Sequence, residues 1–199
     1  MAGRSLAITL FRLAVAVACS APAAWLVVAW HRGTLGANPP EAVVLFTGQT
    51  GLILLLATIA LGPAFRLSGW PGFMAVRRQL GLWALFWLLG HMLAWMGLDQ
   101  YWEWYWIGQE IRDLPYVRYG LIGLVLLVPL ALTSFRAAQA AMGRRAWQWL
   151  HRLVYVAAAL GVVHQWMIAR WDYSEAMLAA GVLAALIVFR LACALIDRR

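Results

Sequence analysis

The chain has 199 residues, 64% of them hydrophobic and only 12% charged, whereas ordinary soluble domains are roughly a quarter charged. Long apolar runs recur from end to end, which excludes a soluble domain carrying a single anchor. The net charge of +8 is not a nucleic-acid footprint, because no RNA- or DNA-binding motif is present and most arginines flank apolar segments.

Six segments are long enough to cross about 30 Å of hydrocarbon at ~1.5 Å rise per residue. They lie near residues 10–30, 42–62, 80–98, 117–134, 149–168 and 174–193. The expected fold is an all-α membrane protein, a six-transmembrane-helix bundle with both termini cytoplasmic. The first segment follows Arg4 and Arg12 and runs to Trp30. Its apolar part, about 18 residues, is long for a signal-peptide core and right for a retained span. His31 follows beside Arg32, where a headgroup-facing imidazole is expected. Cys19 and Cys193 both fall in apolar runs without CxxC or CxxCH spacing, so they read as small hydrophobes with no disulfide.

Gly and Pro punctuate the connections at Asn38-Pro39-Pro40, Gly62-Pro63, Gly69-Trp70-Pro71-Gly72 and Leu114-Pro115. Pro22 and Pro129 sit inside spans, which neighbouring helices make tolerable. The connection Asp99–Tyr116 reads DQYWEWYWIGQEIRDLPY. Its tryptophans and tyrosines suit a headgroup-level belt; its interleaved acids also suit a docking surface for a protein on that side. Placing both termini and the second and fourth connections on one side collects Arg4, Arg12, Arg66, Arg77, Arg78, Arg136, Arg144, Arg145, Arg152, Arg190, Arg198 and Arg199 there, with Asp197 the lone acid. The other side has Arg32, Arg112, Arg118 and Arg170 against the seven remaining acids. By the positive-inside rule the arginine-rich side is cytoplasmic.

His91 in the third span and His164 in the fifth carry the chemistry. Both spans run from cytoplasm to outside in this topology. His91 is 13 residues beyond Arg78 and His164 is 15 beyond Trp149, about 20 and 22 Å of rise. Two imidazoles at matched depth on parallel helices suit axial ligation of a haem iron from both faces. The alternative is a pair of independent core histidines, each hydrogen-bonded to a backbone carbonyl or a Ser/Thr. Zinc lacks a third ligand at that depth, and a proton relay lacks a mid-membrane acid. His151 lies about 20 Å below His164. It fits a second, inner haem with an unusual ligand, a site for a flat polar cofactor, or a ring that snorkels to the interface. Arg77-Arg78 and Arg144-Arg145 are explained by topology alone, yet they offer bidentate donors to a phosphate-bearing cofactor.

Several stretches together resemble a known family. They are Trp147-Gln148-Trp149-Leu150-His151-Arg152-Leu153-Val154-Tyr155 followed by His164, Arg77-Arg78-Gln79-Leu80-Gly81-Leu82, His91 in LLGH, and Pro129-Leu130-Ala131-Leu132-Thr133-Ser134. Leu114-Pro115-Tyr116-Val117-Arg118-Tyr119-Gly120 is similar to that family's RPYxxxG stretch, with Leu114 where a basic residue is usual. The chain resembles the MsrQ (YedZ) family, the haem-binding membrane subunits of bacterial methionine sulfoxide reductase systems, within the ferric-reductase-like transmembrane superfamily. The resemblance covers about residues 40–190 and divides the chain into residues 1–39, a first helix and periplasmic loop, and 40–199, a transmembrane haem domain. It implies haem b between His91 and His164, with His151 as a further family histidine, and FMN as a second cofactor. It also implies a bacterial inner membrane location and a periplasmic molybdopterin-containing MsrP catalytic subunit as electron acceptor. The donor would be the quinone pool or a cytoplasmic flavin reductase. Two other readings stand beside it: a ferric or cupric reductase or b561-like quinone oxidoreductase, and a cofactor-free transporter or assembly factor. The last should show repeated halves around broken helices, and no clear repeat is visible in the sequence.

Overall fold

The computed structural model describes residues 2–169 and 171–197, with side chains from Ser5 onward. Arg170, Arg198, Arg199 and the Arg4 side chain, counted above for topology, lie outside the described residues. The described chain is all helical. It comprises α1 (Ala2–His31), α2 (Pro39–Ser68), α3 (Gly72–Ala94) continuing into a π-helical turn (Trp95–Asp99), α4 (Trp104–Asp113), α5 (Pro115–Leu132), α6 (Arg136–Met142), α7 (Arg144–His151), α8 (Leu153–Ile168) and α9 (Ser174–Ile196).

The turn chemistry sets the helix ends. Asn38 caps α2 by accepting from the Glu41 N–H, with prolines in the first turn. These prolines lack the N–H that a first turn leaves unpaired. Gly69 ends α2 at φ 66°, and its N–H bonds Phe65 O at 2.8 Å, a left-handed cap that glycine adopts without strain.

Five helical stretches have the length and apolarity of a span: Ser5–His31, Pro39–Ser68, Gly72–Asp99, Pro115–Leu132 and Ser174–Ile196. The expected span at 149–168 is divided instead. The α7 helix ends at His151, Arg152 forms a turn, and α8 runs for 16 residues, about 24 Å at ~1.5 Å per residue. The physical reason is legible in α7: its sequence RRAWQWLH gathers arginines and tryptophans that favour the interface over hydrocarbon.

Two helix pairs form the body, α2 against α3 and α5 against α8, with α9 packed on α2 and α8 and α1 on α3. The shared core holds Leu52, Leu55, Leu56 and Ile59 of α2, with Leu127 and Leu130 of α5 and Leu183 of α9. Ala84, Ala157 and Ala158 are fully or almost fully buried there. Such small residues let helix backbones approach closely, which matters because hydrophobic burial does little between helices in lipid. A smaller cluster seats α1 through Cys19, and the Trp87 Nε1–H donates to Cys19 O at 3.0 Å. Outward faces remain apolar, as Leu13, Val17, Ile53, Phe86, Val125 and Leu191 show. Such faces suit contact with acyl chains.

Cross-links fix which ends lie together. Arg12 donates to Ala75 O, Gln79 donates to Arg12 O, and Arg66 forms two hydrogen bonds with Asp197 at 2.6 and 2.8 Å. Arg78 stands over the Phe135 ring at 5.3 Å. The arginine-rich segments therefore share one end of the bundle. Arg66 holds the Asp197 carboxyl below the usual carboxylate range. That contribution is present above the ordinary carboxylate pKa and fades as pH falls through the depressed one. Both partners are exposed, so the pair adds little. Asp197→Asn is expected to leave the thermal unfolding midpoint in detergent unchanged.

At the opposite end, α4 and the segment before it expose Tyr101, Trp102, Trp104, Tyr105 and Trp106. Glu110 is clamped between Trp95 Nε1 at 3.2 Å and Gln100 Nε2 at 3.0 Å. This ties α4 to the π-helical turn that follows α3.

Candidate functional site

His91 and His164 face each other. Their ring centroids lie 5.9 Å apart with the planes at 79°. Each ring is anchored the same way. His91 Nδ1–H donates to Val44 O on α2 at 2.8 Å, and His164 Nδ1–H donates to Tyr116 O on α5 at 2.7 Å. A carbonyl can only accept, so each ring carries a proton on Nδ1, and in the neutral form Nε2 keeps the lone pair.

Glycine makes this approach possible. One turn beyond Val44 is Gly48, and one turn beyond Tyr116 is Gly120. A Cβ at either position would lie 2.8 Å from the imidazole Nδ1 it faces. The α2–α3 pair and the α5–α8 pair thus present the same device: a carbonyl, a glycine one turn on, and an imidazole from the partner helix. The structure shows a paired arrangement where the sequence showed no clear repeat.

The geometry fits one metal held by two rings. An imidazole nitrogen bonds a metal at about 2 Å, which places two opposed ring centroids roughly 6 Å apart on one ion. Backbone carbonyls holding Nδ1 are the usual outer support for a ligating histidine. Among the described residues no group of three or more His, Cys, Asp or Glu is assembled, so a zinc site is not formed. A macrocycle that supplies the remaining donors itself, as haem does, suits a two-histidine set.

His151 is arranged differently. It stacks on Trp147 with centroids 4.0 Å apart and lies 3.1 Å by Nε2 from Thr133 Oγ1. The Thr133 hydroxyl gives its proton to Pro129 O at 2.6 Å, so His151 Nε2–H is the donor and Nδ1 keeps the lone pair. Trp147 Nε1–H donates to Thr133 O at 2.8 Å and completes the clamp. Among the described residues no second histidine stands opposite His151. His31 is exposed at the end of α1 and joins neither arrangement.

The four arginines singled out in the sequence do not converge. Arg77 interacts electrostatically with His151, Tyr155 and Arg190. Arg78 covers Phe135. Arg144 and Arg145 are exposed and line a shallow depression with Met142, Gly143, Ala146 and Trp149.

Residues 47–162 match the family described as ferric reductase like transmembrane component. Three heme-binding subunits of protein-methionine-sulfoxide reductase, each named MsrQ, are similar over nearly the whole chain. The one from Rhodospirillum rubrum is 44% identical over 188 residues, 94% of this chain and 90% of its own. Those from Caulobacter vibrioides and Ralstonia nicotianae are each 38% identical, over 87% and 90% of this chain and 83% of their own lengths. This chain belongs to the MsrQ family.

In MsrQ terms, the family match begins at Thr47, beside Gly48, and ends two residues before His164. It takes in all of α5 and α2 from Thr47 onward, leaving out the anchor Val44. Sequence reading found the two histidines but not their anchors. Val44 and Tyr116 act through backbone oxygen, which any residue carries, and Gly48 and Gly120 are two among 17 glycines. The available signal was a glycine in each span preceding a histidine-bearing one. Tyr155 and Arg190 of this MsrQ chain were likewise passed over, because an Arg near a cytoplasmic helix end is expected from topology alone.

Proposed function

We propose that this protein is the haem-holding membrane subunit of a protein-methionine-sulfoxide reductase system. It carries electrons from the cytoplasmic side or the quinone pool to a periplasmic molybdopterin-containing catalytic subunit of the MsrP type. The observation that carries this reading is the opposed His91–His164 pair, each ring held through Nδ1, so that Nε2 would be the ligating atom. Family membership supports it. Haem b held there would supply a one-electron centre in the outer half of the bilayer.

The residues around it do the rest. Val44 and Tyr116 fix the tautomer and orient the rings, and apolar α2, α3, α5 and α8 keep water away. Exclusion of water and hydrogen bonding to the axial imidazoles are the protein's means of setting the potential. FMN, as the second cofactor, extends the reading toward the inner face, where Arg77, Arg78, Arg144 and Arg145 supply cationic donors and His151 a flat ring stacked on Trp147. In this reading α8 completes six membrane crossings together with α7. The arginine-rich end is then cytoplasmic, within a bacterial inner membrane. A C-terminal reporter that is active only in the cytoplasm reads the orientation, and an inactive reporter reverses it.

The test is reoxidation of the dithionite-reduced protein, followed in the haem absorption bands. Rapid reoxidation is expected on adding the catalytic partner with a methionine-sulfoxide substrate, and slow reoxidation with either alone. Reoxidation by Fe³⁺ but by no protein partner would instead make the chain a ferric reductase.

A further inference from the structure

The inner end of the bundle holds positive charge that no carboxylate answers. The protein has eight acids. Seven lie in the α1–α2, α3–α5 and α8–α9 connections or the turns beside them, at the opposite end. The eighth, Asp197, is taken by Arg66 at 2.6 Å. Arg77 and Arg190 are therefore left with each other, and their like charges repel.

Arg190 does not snorkel toward water, as an arginine near a helix end would. Its guanidinium folds inward against Gly62, where a Cβ would meet Nη2 at 2.4 Å. It donates to Ile59 O at 3.4 Å and stands 5.3 Å from the Tyr155 ring centroid. Arg190 Nε and the Tyr155 hydroxyl are both buried without a hydrogen-bond partner. An unmet buried donor is destabilising, and an uncompensated buried charge more so. Arg77, on α3, interacts electrostatically with both groups.

We propose that Arg77, Arg190 and Tyr155 form a receptor for the phosphate group of a ligand seated at the inner end of the bundle. An oxyanion resolves all three deficits together: the repelling charges, the idle Nε–H and the idle hydroxyl. Phosphate fits better than carboxylate. A monoester carries about −1.5 to −2 at pH 7 and three acceptor oxygens, which matches two guanidinium forks and one phenol. The exposed Arg144 and Arg145 lack these features and are not part of the receptor. The receptor rests on the inner cofactor site of the function proposed above and deepens it, but it requires nothing of His91 or His164 and so stands or falls separately from the haem.

The phosphate has two sources, a soluble phosphomonoester such as FMN or the headgroup of an anionic lipid. The detergent-purified full chain is titrated with FMN and with riboflavin, which differ only in the phosphate. Its retained phospholipid is weighed by native mass spectrometry. A soluble source gives FMN binding at least tenfold tighter than riboflavin, lost at least tenfold in Arg190→Gln and Arg77→Gln and a few-fold in Tyr155→Phe. A lipid source gives retained phosphatidylglycerol that the same variants release. Arg136→Gln, an exposed arginine of α6 at the same end, changes neither. Tyr155→Phe removes one oxygen and serves if the arginine variants do not fold. Equal binding of FMN and riboflavin, with lipid content unchanged across the variants, overturns the receptor. An unaltered haem absorption band in the variants confirms that the loss is local, and a band lost together with the phosphate overturns it as a separate site.

Discussion

His91→Ala and His164→Ala will each deplete the purified protein of haem by at least about tenfold, whereas His31→Ala will leave the haem content unchanged. Changing a residue that only supports a metal ligand costs about 10–100-fold in affinity, so removing the ligand itself should cost no less. The two rings occupy a slot walled by apolar helices, and no third side chain of ligating type is assembled there among the described residues. No substitute is at hand when one ring is lost. The readout is the Soret band, its shift on dithionite, and haem extracted per chain, with helicity by circular dichroism confirming that the variant has folded. His151→Ala separates the two histidine settings. Its Nε2–H is given to Thr133 and its ring to Trp147, so the band attributable to the His91–His164 pair should persist. A colourless wild-type preparation from cells supplied with haem would overturn the assignment at its root.

Much of this architecture was legible because lipid permits few solutions. Backbone groups must pair within a segment, so apolar runs of about 20 residues become helices, and the first, second, third, fourth and sixth runs fall where helices form. Helices overran the apolar windows at their ends, as with α2 continuing through Arg66 to Ser68, because hydropathy marks hydrocarbon and not the end of hydrogen bonding. The fifth run, 149–168, is divided: Trp149 counts as apolar, yet it belongs to a helix that ends at His151 before α8 begins.

Depth was readable from the rise per residue, and the structure brings His91 and His164 together as that arithmetic expected. Facing was not readable, since it depends on rotation about each helix axis, which packing sets. The carbonyls of Val44 and Tyr116 were invisible in principle, and the inward fold of Arg190 runs against what its position suggests. Such residues are found only when the unmet donors and unpaired charges around them are counted in three dimensions.

Gly48→Ala and Gly120→Ala are expected to lower haem content by about tenfold, although neither residue touches the iron. Alanine normally stabilises a helix interior by roughly 0.5–1 kcal/mol relative to glycine, so propensity alone predicts improvement at both positions. The added Cβ, however, would stand 2.8 Å from Nδ1 of the ring it faces. The ring must then swing off its carbonyl, give up the bond at 2.8 or 2.7 Å, and lose the tautomer that presents Nε2. The carbonyl bond is worth about 1 kcal/mol, but the misplaced ring also loses its aim at a shared iron, and that loss outweighs the bond. Residual haem in these variants should show a shifted reduction potential, because the hydrogen bond to an axial imidazole tunes the iron. Gly90 and Gly181 supply the contrast. Nothing lies within 4 Å of a Cβ at either position, and Gly90 neighbours His91 itself. Their alanine variants should retain full haem and an unchanged potential. If Gly48→Ala behaves like Gly90→Ala, the carbonyl–glycine device does not position the ligands. The two rings would then owe their facing to helix packing alone.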